Sequence, residues 1–185
     1  MDRRLAIKQL AILTGGVIMM PSCDFSDESV LQAYENLKIT EAQKQLISQV
    51  TQTIFPGVQL KGAKEIQLED FVLVMANDCL DESQQSDYVK GLKQFDGFSK
   101  KHFGKPFSDM DQNEATDAFR KTLEMNSGNN LKEVQHFLAT TKRFALQGYL
   151  NSEYFMTEIQ PYELVPARFI GSKRIDSTES INING

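Results

Sequence analysis

Apolar residues recur at three- and four-residue intervals through most of this chain, in runs cut by glycine and proline. No window alternates apolar and polar residues over strand length, and runs of β-branched residues are missing. A period near 3.6 buries one stripe of a helix, so the pattern predicts an all-α domain, a single bundle of about five helices. Thr40-Glu-Ala-Gln43 supplies a capping box ahead of Leu46, Ile47, Val50 and Ile54, and Pro56-Gly57 ends that helix. After a loop over 57–64, a second helix is predicted over Leu68–Leu80, and Asp81-Glu-Ser-Gln opens a third with Tyr88, Leu92, Phe95 and Phe98 in line with His102. Gly104-Lys-Pro-Phe107 breaks it. Ser108 or Asp111 can cap a fourth helix with Ala115, Ala118, Phe119 and Leu123 inward. The turn 127–130 leads to a fifth over Leu131–Leu150, with Val134, Phe137, Leu138, Thr141, Ala145 and Gly148 on one side.

Upstream of the bundle stands a different kind of segment. Met1-Asp-Arg-Arg-Leu-Ala-Ile-Lys8 precedes an eleven-residue apolar run and Met20-Pro-Ser-Cys23. The run is too short to span a bilayer, which takes about 20 apolar residues. Arg3, Arg4 and Lys8, with Ile7, stand where a twin-arginine export signal has them, while Asp2 and Ala6 depart from its usual residues. An ordinary secretory signal with two adjacent arginines is the alternative. Cys23 follows small Ser22 as a lipoprotein-processing cysteine would, which makes it a candidate for lipidation. The other reading is a simple cleaved signal, with Cys23 free or removed. Residues 24–38 are acidic and weakly patterned, with room for a short helix at Val30–Leu37.

Without residues 1–22 the chain keeps 17 basic and 24 acidic side chains, so the formal net charge moves from −5 to −7. Nucleic-acid partners need clustered Lys/Arg, so this balance excludes them as a function class. Lys100-Lys101 and Lys142-Arg143 read as solvated helix faces.

Chemistry-bearing patterns are scarce. Cys79 shares a stripe with Leu68, Phe71, Val72 and Met75 and reads as a buried thiol acting as a small hydrophobe. With two cysteines in the chain, no disulfide framework is available. His102 reads as a half-buried packing residue, and His136 as solvent-facing. Neither makes a metal motif with nearby acids. Glu69-Asp70 and Asp81-Glu82 are adjacent in sequence, so their side chains diverge on a helix. No glycine-rich phosphate loop, nucleophile elbow or zinc-protease motif occurs. No catalytic, cofactor-binding or metal residue is predicted in this chain.

The end of the chain is aromatic. Tyr149, Tyr154, Phe155, Tyr162 and Phe169 are five of its 17 aromatics. Pro161 and Pro166 rule out a continuous helix there, so an irregular aromatic segment is expected. It must pack on its own bundle, on a partner, or on both.

The order of landmarks resembles one family: an export signal, Ile54-Phe55-Pro56, Gly62-Ala63-Lys64, Gly104-Lys-Pro-Phe107, Gly148-Tyr149 with Ser152-Glu153, then Tyr162-Glu-Leu-Val-Pro166. Over roughly residues 1–171 the chain is similar to the gluconate 2-dehydrogenase subunit 3 family, the small subunit of membrane-associated, flavin-dependent sugar and alcohol dehydrogenases. The family often has a Gly-Cys pair in the tail, where this chain has Gly171-Ser172. The resemblance implies an accessory subunit without its own flavin, FAD belonging to a large flavoprotein partner of the glucose-methanol-choline type. It further implies export through the twin-arginine translocase and a cytochrome c subunit as electron acceptor. The resulting division is an export signal over 1–22, a tether over 23–38, a helical domain over 39–171 and a polar tail over 172–185. The expected place is the periplasmic side of a membrane, held by a lipid anchor. The alternative function is a free-standing helical lipoprotein that binds or scaffolds something else.

Overall fold

The computed structural model describes residues 32–160 apart from Ser127 and Asn129. Within them the fold is all-α, with no strand. Its helices are α1 (Glu41–Ile54), α2 (Leu68–Cys79), α3 (Glu82–Phe103), α4 (Gln112–Glu124) and α5 (Leu131–Leu150). Short 3₁₀ turns lie at Gln32–Tyr34 and Phe107–Asp109, and a π-helical turn at Phe155–Ile159 follows α5.

Local chemistry starts three of these helices in the same way. Thr40 with Gln43, Asp81 with Gln84 and Asp111 with Glu114 each form a capping box. In each, the cap side chain accepts a backbone N–H of the first turn and the third residue's side chain accepts the cap's N–H, satisfying donors the helix leaves orphaned. Of the two candidates for α4, Asp111 is the cap, not Ser108. Its carboxyl lies below the usual range, chiefly because it accepts the Glu114 N–H. Lys100, Lys101 and His102 crowd the last turn of α3, where cations suit the helix dipole.

The five helices close around α5, whose most extensive pairing is with α3. At that seam Tyr88, Phe95 and Phe137 are fully buried, with Tyr88 edge-on to Phe137 at 5.2 Å and Phe95 tilted on Phe107 at 4.6 Å. Gly91 lets the two backbones meet, because a Cβ there would stand 2.1 Å from the Glu133 carbonyl oxygen. A polar link across the seam, between the Tyr88 hydroxyl and Thr141 Oγ1 at 3.1 Å, is buried. Burial pushes the Tyr88 phenol well above its ordinary range.

Several expectations are corrected by packing. Cys79 is exposed, because α2 buries the face through Val72, Leu73, Ala76 and Asn77 and leaves Cys79 at the rim of its last turn. His102 is also exposed and lies against the Phe98 ring at 4.3 Å, so the buried stripe of α3 ends one turn earlier. His136 is half-buried rather than solvent-facing, and its Nε2 has no hydrogen-bond partner among the described residues.

The stretch before Ile39, expected as tether, belongs to the packed body in its described part. Tyr34 and Leu37 are core residues. The Tyr34 hydroxyl donates to Asp70 at 3.0 Å, and Asn77 accepts the Asn36 and Leu37 N–H groups. In place of a helix over Val30–Leu37, the described residues form the 3₁₀ turn at Gln32–Tyr34 and a run of turns; residues 30 and 31 lie outside the description.

Candidate functional site

Landmarks scattered along the sequence come together where α1 ends and α5 ends. Pro56 cannot continue α1, so Phe55 closes it with its N–H on the Thr51 carbonyl at 2.9 Å. The Phe55 ring stacks on Tyr149 from the last turn of α5, with centroids 4.2 Å apart and planes 2° from parallel. Tyr154 and Phe155 then meet the Tyr149 ring edge-on, at 6.4 and 6.0 Å. Edge-to-face and stacked contacts of this kind suit the ring quadrupole. Ser152 makes the turn possible: its hydroxyl donates to the Tyr149 carbonyl at 2.8 Å and accepts the Phe155 N–H at 3.2 Å.

Between Phe55 and Leu68 the chain forms a pinched loop. Gly57, at φ +75°, and Gly62 touch backbone to backbone; a Cβ on Gly62 would lie 2.8 Å from both Gly57 and the Phe55 carbonyl. Any larger residue would force the base of the loop open. Polar pins hold the rest. Ala63 N–H donates to the Phe55 carbonyl at 2.9 Å, Gly62 N–H to Glu65 at 2.5 Å, and the Tyr149 hydroxyl to the Lys61 carbonyl at 2.9 Å. Lys61 donates its N–H to the Tyr154 hydroxyl at 3.2 Å, and its ammonium reaches Glu158 at 2.9 Å.

Held in this way, the loop turns apolar side chains outward. Val58 is 86 % exposed and Leu60 47 %. Beside it runs a groove of about 530 Å³ lined by Lys61, Phe71, Gly148, Ser152, Tyr154 and Glu158, among others. Burial, then the neighbouring Tyr154 and Glu65, raise the Tyr149 phenol above its ordinary range. The Glu158 carboxylate holds Lys61 protonated, and its ammonium also sits 4.6 Å from the centre of the Tyr154 ring. A protonated lysine and two tyrosines already engaged in hydrogen bonds offer no nucleophile and base. No group of three or more His, Cys, Asp or Glu among the described residues could hold a metal ion.

A second groove, about 660 Å³ along α1, is lined by amides such as Gln45, Gln49 and Gln52 together with Leu46, Lys93 and Asp96. Gln49 and Gln52 bond within the chain, to the Ser108 carbonyl and to Ser48.

Of the aromatic residues expected to meet a partner, Tyr149, Tyr154 and Phe155 are brought together here. The Tyr149 ring is buried in the chain's own packing, while Tyr154 and Phe155 are half-exposed. Tyr162 and Phe169 lie outside the described residues, as do Arg3, Arg4, Lys8 and Cys23. No described helix is long and apolar enough to cross a membrane. The sequence reading missed the loop tip. Its signal was present, though faint: two glycines bracketing Val58 and Leu60.

The family model described as Gluconate 2-dehydrogenase subunit 3 matches residues 41–166, which takes in all five helices and the pinched loop. No curated protein and no solved structure matches the chain.

Proposed function

Since the chain belongs to the gluconate 2-dehydrogenase subunit 3 family, we propose that it is the non-catalytic small subunit of a periplasm-facing, flavin-dependent sugar or alcohol dehydrogenase. It holds a large flavoprotein of the glucose-methanol-choline type, which carries the FAD, and a cytochrome c subunit takes the electrons. Residues 1–22 serve as a twin-arginine signal that exports the pair together, and acylated Cys23 keeps it on the membrane.

One observation carries this reading. Three of the family landmarks, at Phe55, at Gly62 and at Tyr149 to Ser152, converge on an end of the bundle that has rigid, exposed apolar groups and no reacting pair among the described residues. A chain whose best-organised surface does no chemistry is suited to positioning another protein. The signal-like segment supports co-export, because twin-arginine substrates cross folded, and a folded flavoprotein can travel with a partner that bears the signal.

The test is affinity purification of the tagged full chain from solubilised membranes. Recovery with a yellow, FAD-containing flavoprotein is expected, and recovery of the chain alone sinks the proposal. In the same cells, substituting Arg3 and Arg4 by Lys should leave both proteins in the cytoplasm. Continued export of the flavoprotein in that background removes the co-export part. Cys23→Ala should release the complex from membranes, and unchanged retention removes the anchor.

A further inference from the structure

We propose that the pinched loop is the anchor point of the subunit interface. Val58 and Leu60 insert into an apolar depression on the folded catalytic flavoprotein, and that depression is bordered by basic side chains. The inference rests on the subunit reading above and names the surface and partner chemistry it requires.

Three observations converge on it. Among the described residues Val58 is the most exposed large hydrophobic one, and Leu60 is two positions away on the same loop. The other exposed ones among the described residues, Val74, Leu146 and Leu150, sit on helices, where scattered apolar residues are ordinary. Moreover, the tip is not held out by a slack loop. The Gly57–Gly62 contact, the Ala63–Phe55 bond and the Tyr149, Tyr154 and Glu65 pins fix it before any partner arrives. Ordering a loop on binding costs affinity, and here the fold has already met that cost. Rigid apolar anchors inside a polar rim are the usual anatomy of an interface centre.

Charge selects the occupant. Among the described residues, the groove beside the loop is lined by the acidic Glu65, Glu153 and Glu158 and by one cation, Lys61; Lys64 lines the groove along α1 instead. An acidic rim repels the anionic headgroups of a membrane. A symmetric pair of copies would press that rim against itself. A protein surface with Lys or Arg around an apolar depression satisfies both the tip and the rim, and the family places this chain beside another subunit. A preformed tip also demands a preformed pocket, so the flavoprotein must be folded when it is bound.

The experiment co-expresses the tagged full chain with its dehydrogenase and measures recovery of flavoprotein per chain. Val58→Asp with Leu60→Asp should cut recovery at least tenfold, while circular dichroism and Tm of the purified chain stay unchanged. The milder Val58→Ala should weaken the complex several-fold, covering the case in which the double variant does not fold. Val74→Asp should bind as the unsubstituted chain does. Glu153→Lys should slow association and flatten its salt dependence. Equal recovery with both Val58 variants overturns the inference and leaves the subunit reading standing. If the unsubstituted chain itself brings down no flavoprotein, the subunit reading fails and the inference with it. Flavoprotein retained while the double variant loses binding to phosphatidylglycerol vesicles, or loses a dimeric mass, overturns it in favour of a membrane or a second copy.

Discussion

Glycine does the same steric task at the α3–α5 seam and at the pinched loop, yet the two regions end up as opposites. At the seam, Gly91 brings backbones together so that Tyr88, Phe95 and Phe137 can be hidden. At the loop, Gly57 and Gly62 bring backbones together so that Val58 and Leu60 stand in solvent. The seam is held by apolar burial with a buried polar link, the loop by a set of hydrogen bonds around one buried tyrosine. Burial alone explains the first. The second runs against burial, and it is this outward-facing apolar tip that the proposed subunit interface uses.

The sharpest way to break the comparison is at the seam. Gly91→Ala places a Cβ 2.1 Å from the Glu133 carbonyl oxygen, so α3 and α5 must separate. A loss of about 3 kcal/mol is expected, read as a Tm lower by roughly 10 °C. A Tm within a degree or two of the parent would show that the seam is not tightly packed.

A smaller effect should follow at the loop. Tyr149→Phe keeps the stack on Phe55 and removes only the hydrogen bond to the Lys61 carbonyl, for a loss of about 1 kcal/mol in urea unfolding. Its distinguishing readout is limited proteolysis, which should cut faster within residues 57–62. An equally resistant loop would mean that the polar pins do not set its rigidity.

The smallest effect is its pH dependence. The folded state holds the Tyr149 phenol above its ordinary value of 10.0, first by burial and then through Tyr154 and Glu65. A group raised in the folded state binds its proton longer there than in the unfolded chain. Its contribution is therefore full below pH of about 10 and is lost as pH rises through the folded value. The Tm gap between the parent and Tyr149→Phe should be constant near neutrality and narrow above pH of about 10. A gap that widens there contradicts the burial of this hydroxyl.

Helix identity was legible because its causes are local. Thr40 with Gln43, Asp81 with Gln84 and Asp111 with Glu114 cap their helices through side chains three residues apart, and the 3.6-residue stripes of α3 and α5 name their buried residues directly. Exposure at the ends of those stripes was not legible. Cys79 and His102 continue apolar patterns and still face solvent, since each lies on the side of its helix's last turn that points away from the packed neighbours. The strap through Tyr34 and Leu37 carries too weak a pattern to announce itself, and its place depends on Asp70 and Asn77, about 40 positions away.

By itself, then, the sequence determined an all-α chain with its caps, breaks and family landmarks. Tertiary structure decided which of those landmarks meet. Phe55, Gly62, Tyr149 and Tyr154 are spread over 100 positions, and nothing local says that they share one site. Only chain closure, which stacks Phe55 on Tyr149 and ties Lys61 to both tyrosines, turns a loop between two glycines into a rigid apolar tip. Periodicity records which face of a helix avoids water, whereas a loop's exposure is set by long-range contacts that no local pattern encodes.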